Sequence, residues 1–318
     1  MGTTKDWMPR AAALLCAFLA AGCDLAEVTT APGEDVIVVE GVLRTDQETQ
    51  QVLLHRTVDG DLVSGVPGAK VTVTGAAGDV HQLVQVQGRD CYQIDALYAP
   101  SDSLDFQGTC YVTTGQDVSW VRPGERYDLR VETPDGRVIE GRTQVPGAYA
   151  VPSLRADPEF GLICSLAPGS AFELLWRQSA GAWSYVADLS ISGLSQTLGG
   201  GDFRVPDPML VRGLSISQTD TTLVLPTEFG VFERLQYDSD LLLAIKDGFP
   251  NGTRMELLLA AADRNWVNSV RGGNFNPSGL IRISTVVGDG VGVFASLNVQ
   301  HATILVRTVS AIPRCGVP

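Results

Sequence analysis

The sequence has little of what metal and cofactor chemistry needs. It contains three histidines, His55, His81 and His301, and none has a second histidine or a cysteine at metal-ligand spacing. An isolated histidine on a strand is usually a surface or core residue. The motifs of serine hydrolases, zinc proteases and dinucleotide-binding enzymes are also absent. We therefore expect no metal, no cofactor and no catalytic centre of these kinds.

Basic residues are scarce beside acidic ones. The chain has 23 Lys and Arg against 36 Asp and Glu, a formal net charge of −13 at pH 7. Affinity for nucleic acid comes largely from Lys and Arg that neutralise phosphates, and anionic lipid surfaces attract basic segments. The composition therefore predicts no nucleic-acid partner, and it is typical of an acidic surface that keeps a protein soluble.

The apolar run at residues 11–22 is too short to cross a membrane, since a spanning helix needs roughly 20 apolar residues. It follows two basic residues, as the core of a secretory signal does. Small residues at positions 20–22 precede Cys23, which is the pattern of a bacterial lipoprotein signal. We predict that residues 1–22 are removed and that Cys23 is lipidated. The alternative is ordinary cleavage and secretion.

Lipidation places the protein in the cell envelope, attached to a membrane. Several acyl chains on Cys23 would give stable anchoring, because one chain alone binds a membrane only marginally. Residues 23–34 are then a tether. We predict the outer membrane, on its periplasmic or its surface face.

Four cysteines remain after Cys16 and Cys23 are set aside. An even number in an oxidising compartment predicts two disulfides among three pairings. We favour one pair that closes a short loop and one that ties the chain end to the second half. These are Cys91–Cys110 and Cys164–Cys315.

Short strand patterns separated by Gly and Pro turns run along most of the chain. Residues 126–131 and 138–145 alternate apolar with polar side chains, and the intervening Pro134-Asp135-Gly136 predicts a tight hairpin. We predict an all-β fold of two β-sandwich, immunoglobulin-like domains with one or two short helices. The prolines of one segment set the domain limits, namely 35–146 for the N-terminal sandwich, 147–168 for a linker and 169–318 for a C-terminal β-rich domain.

Local patterns make further predictions for the second half. Residues 171–176 and 183–189 are predicted to be neighbouring strands, with Trp176 facing inward. Residues 240–245 are predicted as a strand. Asp289-Gly290, between two apolar runs, predicts a type I′ hairpin turn.

Four segments share a pattern with a known family. They are Val38-Val39-Glu40-Gly41, Gly68 to Val73, Pro123 to Leu129, and Asn274-Phe275-Asn276-Pro277 followed by Gly288 to Ala295. They resemble uncharacterised envelope lipoproteins, the domain-of-unknown-function 4249 family. The resemblance implies an N-terminal sandwich like transthyretin or the carboxypeptidase regulatory domain, and then a second β-rich domain.

The same resemblance implies a partner, a TonB-dependent outer-membrane transporter, and it supplies no catalytic residues. It also bears on residues 254–270, whose apolar periodicity alone predicts one helix. The family instead implies a strand through Ala260 and a short helix from Asp263 that contains Trp266, and we adopt that prediction.

We therefore expect a non-enzymatic envelope lipoprotein that helps a TonB-dependent transporter capture or hand over a nutrient. The alternatives are a structural or adhesive envelope protein and a hydrolase that uses two carboxylates. Loops on rigid scaffolds often carry binding, which makes one loop the candidate. Its residues are Asn265, Trp266, Arg271, Asn274, Phe275 and Asn276. The competing interpretation is that Trp266 and Phe275 only fill the core.

Overall fold

The structure is a computed structural model. It describes residues 35–57, 64–86, 108–114, 119–158, 161–199, 204–215, 217–226, 239–271 and 283–316. Strands dominate these residues, and three short helices accompany them. The predicted all-β fold class is confirmed.

The strands are listed here in chain order with their bounds: β1 Ile37–Arg44, β2 Gln51–Arg56, β3 Lys70–Gly75, β4 Val80–Val86, β5 Thr109–Val112, β6 Arg126–Glu132, β7 Val138–Gln144, β8 Arg155–Asp157, β9 Gly161–Leu166, β10 Phe172–Leu175, β11 Ser184–Ser192, β12 Met209–Leu214, β13 Thr222–Leu225, β14 Arg254–Ala262, β15 Val286–Gly288 and β16 Gly290–Val306. The helices are α1 Leu194–Leu198, α2 Ser239–Ile245 and α3 Arg264–Arg271.

One long strand, β16, connects the two halves of the fold. Its residues 290–297 pair parallel with β1, its residues 297–305 pair antiparallel with β14, and its residues 302–306 pair parallel with β9. The hydrogen-bonded order is β12-β11-β14-β16-β1-β2-β5-β4-β3-β6-β7-β15, with β9 and β8 branching from β16. Strands β10 and β13 form a separate pair. The chain from residue 35 to residue 318 is consequently one compact unit.

Two clusters of buried side chains fill this unit. The first core contains buried residues between 37 and 145, together with Val286 and Phe294 from the C-terminal part. The second core contains buried residues between 149 and 306. Burial of each large apolar side chain contributes about 1.5–3 kcal/mol. Because Val286 and Phe294 belong to the first core, the C-terminal segment completes the N-terminal layer.

The segment predicted as a linker, 147–168, is not a linker. It contains β8 and β9, and β9 pairs with β16. The reason lies in an apolar run between the prolines, in which Ile163, Cys164 and Leu166 are buried. The sheet therefore continues across the predicted boundary.

The predicted strand at residues 240–245 is wrong, because this segment lies in helix α2. Leu241 and Ile245 are four residues apart and both fully buried, so they occupy one face of the helix. Asp240 lies in the first turn, where its carboxylate stabilises the helix by interacting with the positive end of the helix dipole. A short apolar run alone does not distinguish a strand from a helix.

The strands at 171–176 and 183–189 exist but are not neighbours. Strand β10 pairs with β13, whereas β11 lies between β12 and β14. Trp176 follows β10 and is 5% exposed, which confirms that it faces inward.

The type I′ turn at Asp289-Gly290 is also wrong. Among the described residues no non-glycine residue has positive φ, and Gly288 has φ 101° instead. Strand β15 pairs with β7, while β16 pairs with β1. The backbone of Asp289 donates to Val138 O at 2.9 Å, and its carboxylate accepts from Val138 N at 2.8 Å. The chain thus crosses from one layer of the fold to the other.

The single-helix prediction for 254–270 is wrong, and the alternative taken from the family is confirmed. Strand β14 runs to Ala262 and α3 begins at Arg264. Asp263 lies between them and caps the helix, because its Oδ1 accepts from Trp266 N at 2.8 Å.

Candidate functional site

A groove with charged residues in its lining lies on the outer face of β6 and β7, with β3 and β15 beside them. Its volume is about 610 Å³, which is within the roughly 300–1,000 Å³ of ligand pockets. Its lining residues are Thr74, Asp128, Leu129, Arg130, Glu140, Gly141, Arg142, Thr285 and Val287.

Alternation along the two strands produces this face. On β6, Tyr127, Leu129 and Val131 are buried in the first core. Successive side chains of a strand point to opposite faces, so the residues between them face outward. They are Arg126, Asp128, Arg130 and Glu132, which alternate in charge. On β7 the outward residues include Glu140 and Arg142.

The hairpin turn decides which charges meet. Gly136 has φ 87° and donates to Thr133 O at 2.9 Å, which confirms the predicted tight turn. The register that follows places Asp128 opposite Arg142 and Arg130 opposite Glu140. Opposite charges across an antiparallel pair stabilise it modestly.

These residues form a charge ladder, defined here as Asp128, Arg130, Glu132, Glu140 and Arg142. Arg142 Nε donates to Asp128 Oδ1 at 2.5 Å. Arg130 donates from Nη1 to Glu140 Oε1 at 2.5 Å and from Nε to Glu132 Oε1 at 2.7 Å. The bond from Arg130 lowers the pKa of Glu132. Exposed ion pairs add little to stability, but in the structure these pairs orient the side chains toward one another.

The groove has the chemistry of a recognition surface. Its guanidinium groups donate only and its carboxylates accept, while the Thr74 and Thr285 hydroxyls can do both. Each groove carboxylate accepts a hydrogen bond from an arginine.

The predicted binding loop is only partly described. Asn265 Nδ2 donates to Arg142 O at 2.7 Å and to Phe294 O at 2.8 Å, so this side chain ties α3 to β7 and β16. Trp266 is partly buried and packs against a small apolar cluster on the sheet. Both contacts favour a structural role. Arg271 ends α3, and Asn274, Phe275 and Asn276 lie outside the described residues, so the loop stays a prediction.

Asp263 lies at a buried polar contact between β7, β16 and α3. Thr143 Oγ1 donates to Asp263 Oδ2 at 2.6 Å and lies 2.7 Å from Ser296 Oγ. Asp263 is 4% exposed, and burial raises its pKa. Asp263 therefore holds together strands that belong to different cores.

Asp46 makes a second contact of this kind. Burial opposes its ionisation, but hydrogen bonds from His301 and Arg44 lower its pKa to about 2. The His301 Nε2 to Asp46 Oδ2 distance is 2.6 Å. The other two histidines also lie beside carboxylates, His81 Nε2 at 2.8 Å from Asp79 Oδ2 and His55 Nε2 at 3.8 Å from Glu40 Oε1. Sequence spacing did not predict these pairs.

One predicted disulfide is confirmed. Cys164 and Cys315 are bonded, with their Cα atoms 4.9 Å apart, and they tie β9 to the C-terminal segment. Cys110 is also disulfide-bonded, but Cys91 lies outside the described residues, so the pair Cys91–Cys110 stays a prediction. Cys23 lies outside them as well, and its lipidation stays a prediction.

Neither a cluster of metal-binding side chains nor a membrane-spanning helix occurs among the described residues. In those ranges, no three His, Cys, Asp or Glu side chains are grouped so that they could hold a metal ion. Nor does any described helix have the length and apolar character that crossing a membrane requires.

The charge ladder was missed at the sequence level, although the signal was present. Between the buried residues of β6, charges of opposite sign recur at every second position. The hairpin turn then sets their partners on β7. Considering the polar face together with the apolar one would have predicted the ladder.

Residues 25–163 match the model of a family described as "Domain of unknown function (DUF4249)". This match confirms the family resemblance. No curated protein matches the chain.

Among solved structures, the chain is similar to the FN1–FN3 domains of chicken CNTN1, with 10% identity and a TM-score of 0.19, over 86% of this chain and 66% of that one. It is also similar to a DUF4785 family protein of Legionella pneumophila, with 11% identity and a TM-score of 0.21, over 70% of this chain and 51% of that one. The chain thus spans 66% and 51% of the length of these two proteins, and the description of the fold rests on its own strand pairing.

Proposed function

We propose that the protein, whose residues 25–163 match the model of the DUF4249 family, is a non-enzymatic lipoprotein of the bacterial cell envelope. In this proposal it captures a nutrient for a TonB-dependent outer-membrane transporter, or hands the nutrient over. The observation that carries the binding role is the groove of about 610 Å³, whose charged side chains are held in place by one another.

A fixed surface suits binding because less side-chain freedom is lost when a ligand arrives. The ladder stands on two strands of the first core, whose inward residues Tyr127, Leu129 and Val131 are at most 2% exposed. The scaffold beneath the groove is therefore closely packed. This rigidity supports recognition by a preformed face.

The tether supports a role at the membrane. Residues 23–34 can span at most about 40 Å when fully extended, since each residue covers roughly 3.3–3.6 Å. A lipid on Cys23 would then keep the folded unit within reach of a membrane-embedded transporter. Anchoring in the same membrane would give the two proteins a high effective concentration. Binding between them would then not need to be tight.

The anchor is tested by substitution. Cys23→Ser is expected to abolish acyl labelling and to release the protein from the membrane fraction. Cys16→Ser, in the segment predicted to be removed, is the matched control and should keep both properties. A Cys23→Ser protein that remains membrane-bound would contradict the lipoprotein assignment.

The partner is tested by purification of the tagged full chain from detergent-solubilised outer membrane. A TonB-dependent transporter is expected to co-purify, and its yield should fall for Cys23→Ser because the tethered encounter is lost. Recovery of the chain without a transporter would contradict the accessory role and would favour the structural or adhesive alternative.

A further inference from the structure

We infer that the groove over β6 and β7 binds a neutral oligosaccharide, which names the ligand class within the proposed function and rests on it. The inference is carried by the charge balance of the groove, by the hydrogen-bonding groups that its ion pairs leave available, and by its open shape.

The groove is neutral within an acidic protein. Its lining holds two guanidinium groups, Arg130 and Arg142, and two carboxylates, Asp128 and Glu140, whereas the whole chain carries −13. An anionic ligand would meet the two carboxylates, and a cationic ligand would meet the two arginines. The two signs cancel across the groove, so a strongly charged ligand of either sign gains no net attraction there, and a neutral ligand loses nothing by comparison.

The ladder leaves donors and acceptors side by side. A guanidinium has five N–H groups, and in the described contacts Arg142 uses Nε toward Asp128 while Arg130 uses Nε and Nη1. Each carboxylate oxygen accepts more than one hydrogen bond. A sugar hydroxyl both donates and accepts, so one hydroxyl can bond an arginine and its carboxylate without breaking the ion pair. A charged ligand would have to compete with that pair.

The shape favours a chain over a single sugar. The lining extends from Thr74 on β3 across β6 and β7 to Val287 on β15. Neighbouring strands lie about 4.8 Å apart, so four strands span roughly 14 Å. Val287 is 67% exposed at one end and offers an apolar surface to the ring carbons of a sugar.

Titration calorimetry on the detergent-solubilised full chain tests the inference with six-unit chains of different charge. The neutral probes are maltohexaose, cellohexaose, xylohexaose and mannohexaose. The anionic probe is hexagalacturonate and the cationic probe is chitosan hexamer. At least one neutral chain should bind most tightly, with an affinity that added salt leaves unchanged, since salt screens charge pairs but not neutral contacts.

Two variants locate the binding. Glu140→Gln and Arg142→Gln should each weaken binding of the neutral chain about tenfold, the loss expected for one charge-assisted hydrogen bond. The matched control is Glu256→Gln, which breaks a similar exposed pair with Arg254 on β14 and should bind like the unmodified chain. Far-ultraviolet circular dichroism confirms that each variant is folded.

Three results would overturn the inference. They are tighter, salt-sensitive binding of a charged chain, no binding of any neutral chain, and equal weakening by Glu256→Gln. The co-purification separates this inference from the proposed function. If a transporter co-purifies but no sugar binds, only the proposed ligand class is rejected. If a sugar binds but no transporter co-purifies, only the proposed transporter role is rejected.

Discussion

The two cores are completed by different means. In the first core the backbones of β16 and β1 approach closely at Gly292. A Cβ atom added there would lie 2.0 Å from Val39 O. In the second core the Cys164–Cys315 disulfide holds the chain end, and the rings of Trp176 and Tyr185 pack 5.2 Å apart. Both cores contain packed aromatic rings, so the difference lies in the C-terminal part, which joins the first core through a close backbone contact and the second through a disulfide.

The outer faces differ in a way that bears on function. Over the first core the outer face of β6 and β7 carries the charge ladder and the groove. Over the second core, part of the sheet is covered by α3, whose Trp266 packs on Val186, Ala260 and Val299. The first face is therefore open and carries the groove to which we assign binding, whereas α3 covers part of the second face.

The largest expected loss of stability comes from removing the disulfide of the second core. Cys164→Ala combined with Cys315→Ala should lower the free energy of unfolding by about 4 kcal/mol, because the bond closes a long loop. Urea unfolding of the full chain measures this. Trp120 reports on the first core and Trp176 on the second, so single-tryptophan versions show whether both unfold together, as strand β16 requires. Separate transitions would contradict that coupling.

The next largest loss of stability comes from disrupting the backbone contact between Gly292 and Val39 in the first core. Gly292 has φ 131° and has no room for a Cβ atom, so Gly292→Ala should cost about 3 kcal/mol or more. Gly78→Ala is the control, because Gly78 has φ 87° but no atom within 4 Å of its Cβ position. It should cost only the strain, about 1 kcal/mol. Equal losses would show that the close approach to Val39 is unimportant.

Period-two patterns predicted most strands of the first region, since each buries one face of the sheet. The Asp-Gly turn rule failed at Asp289, because a hairpin and a crossing between layers both need glycine. Only distant partners distinguish them, since Gly290 pairs with Ile37 and Asp289 bonds Val138. The strand prediction for residues 240–245 failed because six residues hold too little periodicity to distinguish a strand from a helix. The contacts of Asp46 with His301, and of Thr143 with Asp263, join residues far apart in the chain, which spacing cannot reveal.

A smaller effect concerns the contact of Asp46 with His301. The pKa of Asp46 is lowered to about 2 in the folded state, so the ionised carboxylate stabilises the fold at any pH above the ordinary carboxyl pKa. This stabilisation is lost as the pH falls through about 2. Asp46→Asn should therefore cost about 1–2 kcal/mol at neutral pH, after allowance for partial exposure, and almost nothing below pH 2. Asp247→Asn, 84% exposed beside Lys246, should change little. A loss independent of pH would contradict this account.

The smallest effect concerns Asp263 and has the opposite pH dependence. Burial raises its pKa, so the folded state holds the proton more tightly, and stability falls as the pH rises through the folded pKa. Asp263→Asn keeps a helix-capping side chain without charge and should gain stability relative to the unmodified chain as the pH rises from acid to neutral. Asp263→Ala should lose about 1 kcal/mol with the cap. Thermal unfolding at several pH values measures the stability of both variants. If the stability of Asp263→Asn and that of the unmodified chain change with pH in the same way, the charge of Asp263 does not have the proposed effect.

The most direct test of the division between the two faces is a residue-level map of ligand contact. Amide chemical shifts of the isotope-labelled chain would be recorded while the tightest-binding neutral oligosaccharide is added. The account predicts shifts concentrated in β6, β7 and the groove residues Thr74 and Thr285, with β11, β14 and α3 unchanged. Shifts concentrated around α3 and Trp266, with β6 and β7 unaffected, would contradict it.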